Sequence, residues 1–148
     1  MTRTKSAIIV FVVVAGAIVT ALYLDYTDTY VAGRFHKAMD AGRFESGVPF
    51  SLDAFLEYYD WEGVCICTSD ASCPKLRTRM GRPYTLDGGD GTWSLIFMKS
   101  YYVVAEVPIE REMLKTPPDL AGHCFERWAA IAVITDMDNG REFSFVGD

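Results

Sequence analysis

The sequence predicts an α+β protein: a single N-terminal transmembrane helix followed by a small domain with two helices and an antiparallel sheet of about five strands. Three observations lead there. Residues 6–24, SAIIVFVVVAGAIVTALYL, form an apolar run without a charge. Later stretches such as EGVCICT and REFSFV alternate or carry β-branched and aromatic residues, the mark of strands. Four cysteines in 148 residues provide an even set for disulfides.

As a helix, residues 6–24 are about 28 Å long, close to the ~30 Å hydrocarbon core of a bilayer. Arg3 and Lys5 precede the run and Asp25 and Asp28 follow it, so the positive-inside tendency places the remainder outside the cytoplasm. The expected location is the inner membrane, single-pass, with a cytoplasmic N-terminus and a periplasmic globule. Small residues at Ala15-Gly16-Ala17 also suit signal peptidase. The apolar run continues well beyond them, and we read residues 1–24 as a retained anchor in preference to a signal peptide.

Residues 25–46 read as a juxtamembrane amphipathic helix. Val31, Phe35 and Met39 lie on one stripe with Tyr30 and Ala38, while Arg34, Lys37 and Asp40 lie away from it. Such a stripe packs on its own globule or on a neighbouring membrane subunit, and the globule is preferred because a stripe at helical spacing is usually core. Tyr23, Tyr26 and Tyr30 suit a membrane interface.

The remaining domain, residues 47–148, opens at Gly47 and Pro49 with a short helix over 52–59. Ser51 is its N-cap, Asp53 sits in its first turn and Phe50 and Phe55 form a hydrophobic staple. A strand over 62–68 puts Cys65 and Cys67 on one face and Val64 and Ile66 on the other. The glycine- and proline-punctuated stretch 69–91 is a long loop. A hairpin follows, with Trp93, Leu95 and Phe97 on one strand, a turn at Lys99-Ser100, and Tyr101, Val103, Ala105 and Val107 sharing a face on the return. Residues 113–122 connect to CFERWAAIAVITDM, read as one strand, then a turn at Asp138-Asn139-Gly140 and a last strand burying Phe143 and Phe145.

The four cysteines, Cys65, Cys67, Cys73 and Cys124, allow three pairings. A Cys65–Cys67 bridge would join alternate residues of an extended strand, which is geometrically poor. Cys67–Cys73 with Cys65–Cys124 is preferred, and the swapped pairing stays open. Zinc on these thiols and His123 does not fit the usual paired spacing of zinc ligands, and no redox CxxC pair is present.

No nucleophile elbow, P-loop or HExxH motif occurs. His36 and His123 belong to different neighbourhoods. Asp60 and Glu62 flank Trp61 at a corner where charges are usually solvated. Residues 87–91 and 136–140 have calcium-like acid-and-glycine turns but lack the EF-hand continuation. The sequence therefore carries no catalytic, metal or cofactor site, and the protein is expected not to be an enzyme.

The formal charge is −6; setting aside Arg3 and Lys5, 12 basic residues face 20 acidic ones, a balance of −8. That sign disfavours nucleic acid as a partner. Against it stands PKLRTRMGRPY, with Lys75, Arg77, Arg79 and Arg82 on the long loop beside Tyr84. Four cations there suit an anionic partner surface, with Tyr84 as aromatic anchor.

The order of an apolar N-terminal segment, the short SLDAFLEYY helix, DWEGVCIC and a later Pro83-Tyr84 resembles small bacterial cell-envelope proteins of uncharacterised function, in which a Trp-acidic-x-Val strand follows a short helix. The resemblance covers residues 50–85. It implies an extracytoplasmic α+β domain and transfers no catalytic residue.

The expected function is a non-enzymatic, membrane-tethered interaction module, bound to the membrane through residues 6–24 and to another envelope or membrane protein. An accessory subunit would use the anchor and Val31, Phe35 and Met39; an inhibitor or immunity-type protein would use Lys75 to Tyr84. The alternative is a small periplasmic enzyme or ligand-binding domain.

Overall fold

Two antiparallel sheets share one apolar core, and a helix closes it. The computed structural model describes residues 2–23, 26–56 and 59–146. Helix α1 covers Thr2–Tyr23 and α2 covers Tyr26–Asp40. The strands are β1 (Phe50–Ser51), β2 (Gly63–Cys67), β3 (Thr92–Lys99), β4 (Tyr102–Glu110), β5 (Cys124–Glu126), β6 (Ile131–Met137) and β7 (Gly140–Phe145). They form a three-stranded sheet ordered β1-β6-β7 and a four-stranded sheet ordered β4-β3-β2-β5.

The expected transmembrane helix and five-stranded sheet are both corrected by this architecture. Among the described residues, no helix is long and apolar enough to cross a membrane. Membrane contact through residues 6–24 and the single-pass location were expected on the strength of that helix. The side chains of Tyr23 and Tyr26 lie outside the described residues.

The sheet is two sheets because CFERWAAIAVITDM is two strands. A 3-10 turn at Arg127–Ala129 separates β5, which pairs with β2, from β6, which pairs with β1 and β7. Arg127 fastens this switch. Its guanidinium lies 5.1 Å from the Trp61 ring centroid, donates to the Trp61 carbonyl at 3.3 Å and pairs with Asp53 Oδ1 at 2.6 Å.

Helix α2 belongs to the globule rather than forming a separate juxtamembrane unit. Val31, Phe35, Ala38 and Met39 are buried in the main core, where Phe35 meets Phe55 edge-on at 5.4 Å. Val31, Phe35 and Met39 therefore do not face a neighbouring subunit, which corrects their assignment as partner contacts; burying the stripe removes apolar area from water, the larger driving force. His36 Nε2 donates to the carbonyl of Pro108 on β4 at 3.0 Å, pinning the helix to that strand.

The short helix predicted over 52–59 is a 3-10 turn at Leu52–Phe55, and Glu57 and Tyr58 lie outside the described residues. Ser51 Oγ does cap it, accepting from the Asp53 amide at 3.2 Å. The Phe44 ring lies 4.4 Å from that of Phe50 and 6.1 Å from that of Phe55, so it sits with both staple residues.

The β3–β4 hairpin turns at Ser100 and Tyr101, one residue later than predicted. Both have positive φ, 47° and 74°, the conformation that two-residue hairpin turns require and that Asn-Gly supplies most readily. A side chain there costs roughly 1–2 kcal/mol. Tyr101→Gly is therefore expected to raise stability by about 1 kcal/mol, offset in part by glycine's looser unfolded state; a shift of the urea midpoint without a change in slope is the check.

The return strand was predicted to place Val103, Ala105 and Val107 on one face. A β-bulge between Phe97 and Met98 alters this, because Phe97 pairs with Ala105 while Met98 pairs with Val103. Val104 is the extra residue. It joins Ala105, Val107 and Ile109 in the main core, and Val103 turns to the opposite face with Ile96.

Candidate partner-binding surface

The four-stranded sheet has two covered faces. One presents Val64, Ile66, Trp93, Leu95 and Phe97 to the main core. The other carries Cys65, Cys67 and Ile96, and the long loop 69–91 folds over it through Leu76, Tyr84 and Leu86. Every residue of β2 is buried as a result.

Two disulfides hold this arrangement. Cys65 is bonded to Cys124, its cross-strand partner on β5, and Cys67 to Cys73 at the start of the loop. This is the preferred pairing, and it leaves no thiolate for zinc. Among the described residues, no group of three His, Cys, Asp or Glu side chains could hold a metal ion.

The loop is fixed at its far end by Glu106, which sequence reading missed. Glu106 is only 2% exposed. Its Oε1 accepts from Ser94 Oγ at 2.6 Å and from the Gly88 amide at 3.4 Å; its Oε2 accepts from the Asp87 amide at 3.0 Å and from Tyr84 Oη. Four donors from β3 and the loop thus converge on one carboxylate. Glycine at position 88 suits this approach, since a Cβ there would lie 2.5 Å from Thr92 Oγ1 and 3.3 Å from Ser94 Oγ and would push the Thr92 hydroxyl from its bond to the Gly89 carbonyl. The acid-and-glycine turn at residues 87–91 therefore serves as a cradle for a carboxylate of the protein itself.

The tyrosine bonded to Glu106 is Tyr84, the predicted aromatic anchor. It is half-buried and tied inward, which corrects that role. Two other tyrosines take the exposed position. Tyr101 is 73% exposed and Tyr102 is 43% exposed. The basic loop lies beside them, because the Arg77 amide donates to the Tyr101 carbonyl at 2.8 Å and the Val103 amide to the Arg77 carbonyl at 2.9 Å. Arg77 also bridges back to Pro83, and a turn from Thr78 to Gly81 closes between them. Residues 77–83 are thus a small hairpin added to the free edge of β4, covering an edge that would otherwise be open to pairing.

This hairpin presents Arg77, Arg79, Met80 and Arg82 to solvent, with Lys75 exposed just before it. Three cations elsewhere are paired with acids: Lys99 with Asp60, Arg127 with Asp53 and Arg141 with Asp136. Among the described residues, Lys75, Arg77, Arg79 and Arg82 have no such ion pair.

Next to the hairpin is an open groove of ≈ 550 Å³ with Val103 and Val104 in its lining, Tyr59 and Tyr102 beside them, and Arg79, Lys99, Asp60 and Ser100 around it. It is the one place where Asp60 meets a second titratable group. Lys99 Nζ donates to Asp60, and that bond, with help from the Asp60 and Glu62 charges, holds the Lys99 ammonium above its usual range. Glu62 is engaged by the turn, accepting from the Ser100 amide at 3.2 Å. His123 is exposed on the segment before β5. The second calcium-like turn, at Asp138 and Asn139, joins β6 to β7 as the hairpin predicted for it.

One more exposed aromatic was not foreseen. Trp128 is 78% exposed on the turn after β5, and its indole N–H donates to Glu126. No protein-family model matches this chain, and neither curated proteins nor solved structures give a significant match.

Proposed function

We propose that the protein is a non-enzymatic interaction module of an oxidising, extracytoplasmic compartment that grips another envelope protein through its basic hairpin, in the manner of an inhibitor or immunity-type protein. The observation that carries this reading is the clustering of cations on one exposed hairpin. The chain is acidic overall, with a formal charge of −6, yet Lys75, Arg77, Arg79 and Arg82 fall close together in it and are all exposed. The four at Lys75 to Arg82 are exposed without an ion pair among the described residues. An acidic partner face would meet them, and such complementarity raises the association rate and selects the partner.

Exposed Tyr101, Tyr102 and Met80 beside those charges supply apolar area of the kind that anchors interfaces. The strained Tyr101 supports the same reading, since a non-glycine residue at positive φ is kept most readily where its side chain is needed. Two disulfides favour the oxidising compartment. The accessory-subunit alternative depended on a membrane helix and on Val31, Phe35 and Met39, which are core residues.

The test is site-specific photo-crosslinking from positions 80 and 101 in the cell that makes the protein, with Met137 on the opposite hairpin as control. The expected result is one protein adduct common to positions 80 and 101, absent at 137, and lost when Arg79 and Arg82 are both changed to Glu. With the purified adduct partner, the double reversal is expected to weaken binding at least tenfold, more at low salt than at high. Equal adducts at all three positions, or adducts indifferent to the reversal, would overturn the proposal.

A further inference from the structure

We infer that the groove beside the basic hairpin receives an extended acidic segment of the partner, seating one Asp or Glu side chain on Arg79 and the apolar side chain two residues away against Tyr102 and Tyr59, over Val103 and Val104. This rests on the basic hairpin being the partner-facing surface and specifies what that surface holds.

The charge balance in the groove selects a single carboxylate. Asp60 and Lys99 are bonded to each other, so their charges cancel within the groove. Arg79 is left as the unmatched charge, and its planar guanidinium suits a carboxylate bidentately. A doubly charged phosphoryl group would call for further donors than one arginine. The rest of the lining is aliphatic and aromatic: Val103 and Val104 are nearly buried by their own sheet, with Tyr59 and Tyr102 at the sides. That surface gains by covering an apolar side chain and offers few polar contacts to a sugar or nucleotide.

Continuity argues for a segment of a protein over a free small acid. The groove is open, and Arg79 belongs both to it and to the hairpin whose further cations, Arg77 and Arg82, continue the positive surface. A chain seated on Arg79 therefore has a favourable path out of the groove, as peptides do when pockets alternate with charges.

The experiment measures fluorescence anisotropy of three acetylated, amidated and labelled peptides, identical except for Glu-Leu, Gln-Leu or Glu-Ser at two central positions separated by one alanine, so that both side chains share a face. The intact protein should bind the Glu-Leu peptide at least fivefold more tightly than either of the others. Arg79→Glu should weaken the Glu-Leu peptide about tenfold and erase its advantage over Gln-Leu, the scale of one charge-assisted hydrogen bond. Tyr102→Ala should erase the advantage over Glu-Ser; if that variant does not fold by circular dichroism, Tyr102→Ser with the same readout takes its place. Equal affinities for the three peptides, or no binding of any at about 1 mM, would overturn the groove assignment. Adducts from positions 80 and 101 that depend on Arg79 and Arg82, found together with no peptide binding, would overturn this inference and leave the hairpin reading standing. Arg79-dependent peptide binding without those adducts would support the groove and overturn the hairpin reading.

Discussion

Replacing Cys65 and Cys124 together by alanine is expected to lower the unfolding free energy by about 4 kcal/mol, against about 2 kcal/mol for replacing Cys67 and Cys73. The asymmetry comes from the unfolded chain. The first bridge spans a sequence separation of 59 and the second only 6, and the entropy removed by a cross-link grows with the logarithm of the loop it closes. The longer bridge also joins β2 to the short edge strand β5, which pairs at only three positions. Without the bridge, that edge loses its covalent tie and the Arg127 switch after it loses its foundation. Urea unfolding followed by tryptophan fluorescence reads both effects, since Trp61 and Trp93 are both buried in the main core. A loss for the long-range pair no greater than for the short one would mean that β5 is held by packing alone.

The sequence favoured the short Cys67–Cys73 closure because its logic is local, while the 59-residue separation of Cys65 and Cys124 left the swapped pairing open. Alternation in GVCIC puts both cysteines on one face, and the short distance to Cys73 makes one closure natural. The α2 stripe was legible for the same reason: helical spacing shows which residues share a side, although it does not show which surface they meet. What escaped was long-range. A bulge at Val104 shifts the face of every later residue in β4, and nothing in YYVVAEVPIE marks where the extra residue falls. Arg127–Ala129 looked like the middle of a strand because its alanines suit several conformations; the break follows from Arg127 engaging both Trp61 and Asp53, contacts from far away in sequence.

The partner surface shows the same division. That Lys75 to Arg82 carry a cluster of charge is written in the chain. That Tyr84 points inward and Tyr101 outward is not, because it depends on a carboxylate at Glu106 and on a turn at positive φ. A usable signal did exist. A glutamate in the middle of an apolar strand, opposite a serine, in a chain with a loop long enough to cover that face, suggests a buried polar anchor; the loop's Gly88 is the close-approach residue such an anchor needs.

Glu106→Ala is therefore expected to cost about 3–5 kcal/mol and to loosen the basic hairpin. The size follows from what would be left behind. Tyr84 Oη, Ser94 Oγ and the amides of Asp87 and Gly88 all donate to the carboxylate, and hydrogen bonds to a charged group are worth about 1.5–3 kcal/mol each before the loop relaxes to water. Ser94 is itself buried, so its hydroxyl cannot be rescued fully. Glu106→Gln keeps the shape and one acceptor oxygen but turns an amide N–H₂ toward donors, and about half the loss is expected. The hairpin provides a second readout: once Tyr84 and residues 87–88 are released, trypsin should cut at Arg77 or Arg79 faster than in the unaltered protein, at a urea concentration where the rest remains folded. A strut and a mere space-filler part company here. If alanine costs no more than about 1 kcal/mol, the scale of a single neutral hydrogen bond, and tryptic cleavage does not accelerate, the carboxylate does not organise the loop, and the inward set of Tyr84 has to come from the packing of Leu76 and Leu86 against Ile96.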